Sequence, residues 1–257
     1  MAKRIIFIAT QLFAVFLIIF SLYELYQLGS TMLIGSRHSS SSIQPTEGGS
    51  WETLRDVNPD IIGWLTIEGT GVDFPILQDR ELHRVFKETG GLPASYLSSH
   101  AEKTREEIVF KYLFYDFKGE PSETGSITID FRNSLEDPYI IIYGHNVGLP
   151  GVMFSDLKQF EKESFFDAHR SASITSEAGE MKLRLLMSAL VSGYSGEVYG
   201  HYVADPYVID IPGAVEHISK NKLLGEPAEY DLYVLLSTCY NDPSDPLRLV
   251  LLYGVED

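Results

Sequence analysis

Apolar and polar positions divide the chain into three stretches. From Ile5 to Tyr23 there is no Asp, Glu, Lys or Arg, and Thr10, Gln11 and Ser21 are the polar interruptions. As a helix rising ~1.5 Å per residue, that run reaches roughly 28 Å, close to the hydrocarbon thickness of a bilayer. Lys3 and Arg4 precede it and mark the cytoplasmic side. A cleaved signal peptide starts in the same way, but its apolar run is usually shorter and closes on a small-residue cleavage site. Here the run passes instead into Glu24, Leu25, Tyr26 and Gln27. The expectation is a cytoplasmic stub and transmembrane anchor over residues 1–29, with the rest of the chain outside the cell. Residues 30–50, with Ser39 to Ser42, Pro45, Gly48 and Gly49, hold too little large apolar surface to order themselves and read as a flexible tether.

From Trp51 the pattern becomes that of a folded domain, 51–257. Ile61, Ile62, Trp64, Leu65 and Ile67 lead through Gly69-Thr70-Gly71 into Val72, Phe74, Ile76 and Leu77, which predicts two short strands across a glycine turn. Apolar stretches then recur between turn residues over 126–131, 139–143, 182–192, 207–211, 230–237 and 247–255. Such spacing predicts a mainly antiparallel sheet closed into a barrel or sandwich. Val152 to His169 is helical in part, and Pro212 to Leu224 places Ala214, Val215, Ile218 and Leu223 near helical spacing; both are expected to pack on the sheet. Ser99 to Tyr112 is charge-rich and fits a helix and a solvated loop equally.

Charge and composition narrow the function. With 20 Lys and Arg against 36 Asp and Glu, the net charge of −16 excludes a basic nucleic-acid binder, and 44% apolar residues supply ample core. A single cysteine excludes an intramolecular disulfide and any cysteine-rich metal centre. No HExxH pair, calcium-loop spacing or phosphate loop occurs, so no metal or cofactor is expected. Ser192-Gly193-Tyr194-Ser195-Gly196 merely imitates a serine-hydrolase elbow.

Three residues could carry chemistry. Cys239 ends the strand-like run Leu235-Leu236-Ser237-Thr238 and enters a loop rich in Asn, Asp and Pro, where a thiol is accessible; a buried, inert thiol is the alternative. A nucleophilic role would need a neighbouring base or cation. Of seven histidines, His145 alone follows a β-like run, Tyr139 to Tyr143, into a glycine turn. Arg248 opens the last apolar strand, and a hairpin from Cys239 would bring the two together. Its alternatives are an ion pair with Asp245 or a place on the rim; as a functional group its fixed charge could stabilise an oxyanion.

In order along the chain, Gly63-Trp64-Leu65, Asp73-Phe74-Pro75-Ile76-Leu77-Gln78, Gly125-Ser126-Ile127, Ile142-Tyr143-Gly144-His145-Asn146, Met153-Phe154 with Leu157, Leu236-Ser237-Thr238-Cys239 and Arg248 resemble the class B sortases, membrane-anchored cysteine transpeptidases of Gram-positive bacteria. The resemblance runs from about Trp51 to Val255. It implies a mainly β fold, an eight-stranded β-barrel with peripheral helices: N-terminal ones, and one before the cysteine strand that Pro212 to Leu224 fits. It also implies Cys239 as nucleophile, His145 as general acid and base, and Arg248 as the oxyanion or substrate-positioning residue. Ser237, Thr238 and Tyr199 are implied as substrate-binding, with Tyr194 and Tyr207 as weaker groove candidates. No metal or organic cofactor is implied. The implied partners are surface proteins or pilins bearing a sorting signal similar to LPxTG or NPxTx, and an amine acceptor such as a lipid-linked peptidoglycan precursor. Leu235 stands where the family motif usually has Thr, and Asp79 to Lys111 is longer than in most members. A tethered peptidase that only hydrolyses, and a non-catalytic surface-binding domain, are the competing readings.

Overall fold

The computed structural model describes residues 17–23, 50–200, 209–241 and 246–256. Most of the expected anchor and nearly all of the tether lie outside them. Residues 17–23 are helical, and among the described residues no helix is long and apolar enough to cross a membrane.

The domain is built on strands β1 (Ile61–Ile67), β2 (Asp73–Leu77), β3 (Ile127–Ile129), β4 (Tyr139–Tyr143), β5 (Ser171–Ser176), β6 (Gly179–Ser192), β7 (Lys222–Gly225), β8 (Tyr233–Cys239) and β9 (Leu247–Glu256). They pair in the order β5-β1-β2-β3-β4-β8-β9-β6-β7, and β5 pairs again with β6. Eight strands therefore close into a barrel, and β7 extends β6 outside the ring. Most pairings are antiparallel, as the pattern predicts, but β2–β3 and β4–β8 are parallel. A parallel neighbour needs a long crossover, and β4 and β8 are separated by the 155–169 helical stretch, β5, β6 and the helix before β8.

Continuous apolar runs in β4 and β8 have a direct cause: both faces are covered. One face, with Ile140, Ile142, Val234, Leu236, Leu249 and Leu251, fills the barrel interior. The other, with Ile141, Tyr143, Leu235, Val250 and Leu252, forms an outer layer with Val198, Tyr199, Ala214 and Ile218. Short helices surround the barrel, and the last two of them roof this outer layer. Along the chain these are α1 (Trp51–Val57), α2 (Arg80–Thr89), α3 (Ala94–Ser99), α4 (Arg105–Val109), α5 (Glu163–Ala168), α6 (Gly196–Tyr199) and α7 (Ile211–Lys220).

Helix α7 is the element expected before the cysteine strand, and it docks through Ala214 and Ile218 with Pro212 in its first turn. The strand expected over 207–211 is corrected in part, because Ile211 already opens α7 and Tyr207 and Val208 lie outside the described residues. Ser99 to Tyr112 resolves into α4, closed by a capping box between Thr104 and Glu107, and a 3-10 turn over Lys111–Leu113. Strand β5 escapes sequence reading since Ala172 and Ile174 are its buried apolar residues among serines and a threonine.

Candidate active site

The barrel brings the three candidate groups to one end of one face. In the parallel pair β4–β8 the last matched residues are Tyr143 and Ser237. Carried two residues past the end of β4, the same register would bring His145 level with Cys239. The turn that follows β4 is tied to β8 throughout: Gly144 N–H donates to the Ser237 carbonyl at 3.3 Å, and Thr238 Oγ1 donates to the Gly144 carbonyl at 2.7 Å. Asn146 Nδ2 reaches the carbonyls of Cys239 and Tyr240 at 3.2 and 3.3 Å. On the other side of β8, Cys239 pairs directly with Arg248 of β9. Side chains alternate across a strand, so Cys239, in step with Leu235, and Arg248, in step with Val250, belong to the outer face. His145 joins them there, its ring reaching Leu113, which packs on the outer layer.

Cys239 is a free thiol, half-buried. His145 is also half-buried, with Nε2 at 2.9 Å from the Leu113 carbonyl. Burial pushes the imidazole below the ordinary histidine pKa, and the bond to Leu113 opposes that shift. Both the direction and its cause favour the uncharged ring. Arg248 donates from Nη1 to the Leu247 carbonyl at 3.1 Å and stands opposite Val191 of β6. Its guanidinium lies against Gly193, where an added Cβ would meet Nε at 3.2 Å and Cζ at 3.3 Å. The glycine thus leaves room for the planar group at the mouth.

Ser237, Thr238 and Tyr199 each retain 2% exposure. Ser237 Oγ and the Tyr199 hydroxyl share a hydrogen bond of 2.9 Å, and Thr238 is committed to Gly144. In this structure the three shape the floor and wall beside Cys239 rather than presenting free polar atoms. Tyr194 is 88% exposed on the turn leaving β6; Tyr207 and Asp245 lie outside the described residues.

Behind the wall lies a pair that the sequence pattern did not reveal. Asp130 and Arg132, 1% and 2% exposed, form a two-pronged ion pair at 2.7 Å per prong. Arg132 also donates to the Tyr199 carbonyl at 2.8 Å, and the Tyr143 hydroxyl donates to Asp130 at 2.9 Å. Both charges follow the apolar run at β3 in alternation with Phe131, which is how solvated positions look in a sequence. Leu113 was equally invisible, because its contribution is a backbone oxygen. Among the described residues no group of three potential metal ligands occurs.

A thiol, an imidazole and a guanidinium at one end of one face are the groups acyl transfer needs: nucleophile, proton carrier and a fixed charge for the oxyanion. No protein-family profile matches the chain. It is similar to sortase B of Staphylococcus aureus, 27% identical over 237 residues, covering 90% of this chain and 81% of the relative. Sortase B of Listeria monocytogenes is 34% identical over 125 residues, 48% of this chain and 39% of that one. The solved structure of a Streptococcus pyogenes class B sortase involved in pilus biogenesis superposes with a TM-score of 0.60 at 25% identity, covering 82% of this chain and 100% of the other.

Proposed function

Since the chain belongs to the sortase B family of cysteine transpeptidases, we propose that Cys239, His145 and Arg248 perform the transfer on a C-terminal sorting signal related to LPxTG or NPxTx. The observation that supports this reading most is the pairing of Cys239 with Arg248, together with the parallel register of β4 and β8 whose continuation leads His145 to the same end. The thiol proton passes to His145 as sulfur attacks the carbonyl carbon of the scissile Thr. A tetrahedral oxyanion forms, facing the Arg248 guanidinium. It collapses to a thioester as the C–N bond breaks, and the leaving amine takes its proton from His145. An incoming amine then attacks the thioester, gives a proton to His145, and releases the sulfur, which takes that proton back from His145 as the resting thiol. The acceptor is an amine of a peptidoglycan precursor or a pilin.

Residues 1–29 serve in this reading as a single-pass anchor and 30–50 as a tether, with the catalytic domain outside the cell. Anchored enzyme, exported substrate and lipid-linked acceptor then share the membrane surface, which raises their effective concentrations. The test is to incubate the chain with sorting-signal peptides and candidate amines and weigh the products. Amine-extended peptide is expected; free acid alone, at every amine tried, would leave a hydrolase. Failure of a thiol-reactive probe to label Cys239 in the native protein would favour the non-catalytic binding domain.

Arg248→Lys keeps the charge but loses the planar fork that lies on Gly193. The expected outcome is a fall in kcat/KM of roughly tenfold or more, toward the 10²–10³ typical of a lost oxyanion donor. A wild-type rate would make Arg248 a structural residue.

A further inference from the structure

We propose that the carbonyl oxygen of Leu113 is the fixed partner that sets the tautomer of His145, and that Gly125 seats that oxygen. The inference deepens, and rests on, the reading of His145 as proton carrier. A carbonyl oxygen can only accept, so the contact at 2.9 Å makes Nε2 the protonated nitrogen of the neutral ring. Nδ1 is left as the basic nitrogen, the one able to take the Cys239 proton and later hand it to the leaving amine. Among the described residues the ring makes no hydrogen bond besides that to Leu113. The place held by a carboxylate or amide in other nucleophile–histidine arrangements is here taken by the main chain.

That oxygen is held with unusual firmness. The carbonyls on either side are committed, Tyr112 O accepting from Ser126 N–H at 2.7 Å and Phe114 O from Ser122 N–H at 2.9 Å. Against the peptide between them lies Gly125, at φ +58°. A Cβ there would stand 2.4 Å from the Leu113 oxygen, 2.7 Å from its carbonyl carbon and 2.9 Å from its Cα. Any side chain at 125 must displace the oxygen that faces His145. Leu113 and Gly125 are thus positioning residues, acting on the reaction through the imidazole. The segment that supplies them leaves the helical excursion of α2 to α4, which gives that excursion a link to the site.

On the neighbouring elements the titratable and charged groups are Cys239 at the end of β8 and Arg248 on β9, while Lys111, in the 3-10 turn that ends at Leu113, is engaged with Asp60 and Asp79. The causes that move the imidazole are nevertheless burial, which lowers its pKa, and the Leu113 bond, which raises it. Loss of the bond therefore sends the pKa further down, and the acid limb of kcat/KM with it.

The first measurement needs neither substrate nor a substitution in the segment. Long-range proton–nitrogen spectra of the full chain in detergent micelles, with 15N-labelled histidine and His145→Gln as the assignment control, are expected to show Nε2–H at His145 near pH 8. An Nδ1–H ring overturns the proposal. The second compares Gly125→Ala with Gly125→Asn. Asn tolerates positive φ far better than Ala, yet both carry a Cβ. If the contact with Leu113 matters, both lose roughly 10–100-fold in kcat with KM little changed, and both shift the acid limb to lower pH. A folded variant with the wild-type limb, or full rescue by Asn, overturns the proposal. Because the tautomer is read without turnover, a wild-type chain that shows Nε2–H but transfers no amine would refute the transpeptidase assignment and leave the Leu113 contact standing.

Discussion

Cys239→Ala is expected to leave no detectable thioester and no amine-extended product, while the protein unfolds within about 1 kcal/mol of wild type. The activity half of that expectation is absolute because the chain contains no second thiol. The stability half follows from position. Cys239 is the last residue of β8, half-buried, and the bonds that hold it run through its backbone: the pairing with Arg248 and the carbonyl that Asn146 Nδ2 reaches. Replacing S–H by H at such a site removes little buried apolar surface. Mass spectrometry of the protein after mixing with peptide reads the acyl-enzyme, and a denaturant curve reads the fold. His145→Ala should come close to the same loss. In the proposed mechanism its ring takes the thiol proton, and burial, which lowers its pKa, works against the state in which sulfur is charged and nitrogen protonated together. Retained transfer in either variant would remove that residue from the chemistry.

Arg132→Met should produce the largest loss of stability away from the reacting atoms. Breaking a buried ion pair from one side typically costs about 3–5 kcal/mol, since the partner carboxylate stays behind uncompensated. For a domain of this size that is a fall in melting temperature of roughly 10 °C. Asp130 would keep the Tyr143 hydroxyl but lose both guanidinium prongs, and the Tyr199 carbonyl at the end of α6 would lose its donor. Two readouts separate stability from site geometry. Thermal melting follows the first, and KM for the sorting peptide at 20 °C follows the second, because Tyr199 holds Ser237 beside the thiol. The double variant Asp130→Asn with Arg132→Met should recover part of the melting temperature and none of the KM. Melting unchanged in the single variant would show that the pair is not buried as described.

How much of this was legible in the sequence depends on whether the signal was carried by side chains or by backbone. Strands β4, β8 and β9 announce themselves, since Tyr139-Ile-Ile-Ile-Tyr143 and Tyr233-Val-Leu-Leu are apolar on both faces. The hairpin expectation for Cys239 and Arg248 holds in the register. Its counterpart could not be foreseen from pattern alone. The parallel pairing of β4 with β8 joins segments about ninety residues apart, and continuous apolar runs carry no mark of direction. Family resemblance supplied the His145 partnership instead. Strand β5 stayed hidden because its serines and threonine cover two buried apolar positions, and Asp130–Arg132 because a buried charge reads like a solvated one until its partner is seen. Leu113 illustrates a further limit: every residue has a carbonyl, so no residue type signals that one of them has been aimed at an imidazole.

The ring of eight strands has a consequence for how this protein could change its substrate. A closed cylinder offers no hinge between β8 and β9, so Cys239 and Arg248 keep their relative backbone places whatever peptide arrives. Discrimination would then come from the rim outside the reacting groups, above all the turn that leaves β6 and exposes Tyr194. Exchanging the residues that follow Gly193 there with those of a related protein should transplant peptide preference while His145, Cys239 and Arg248 stay in place.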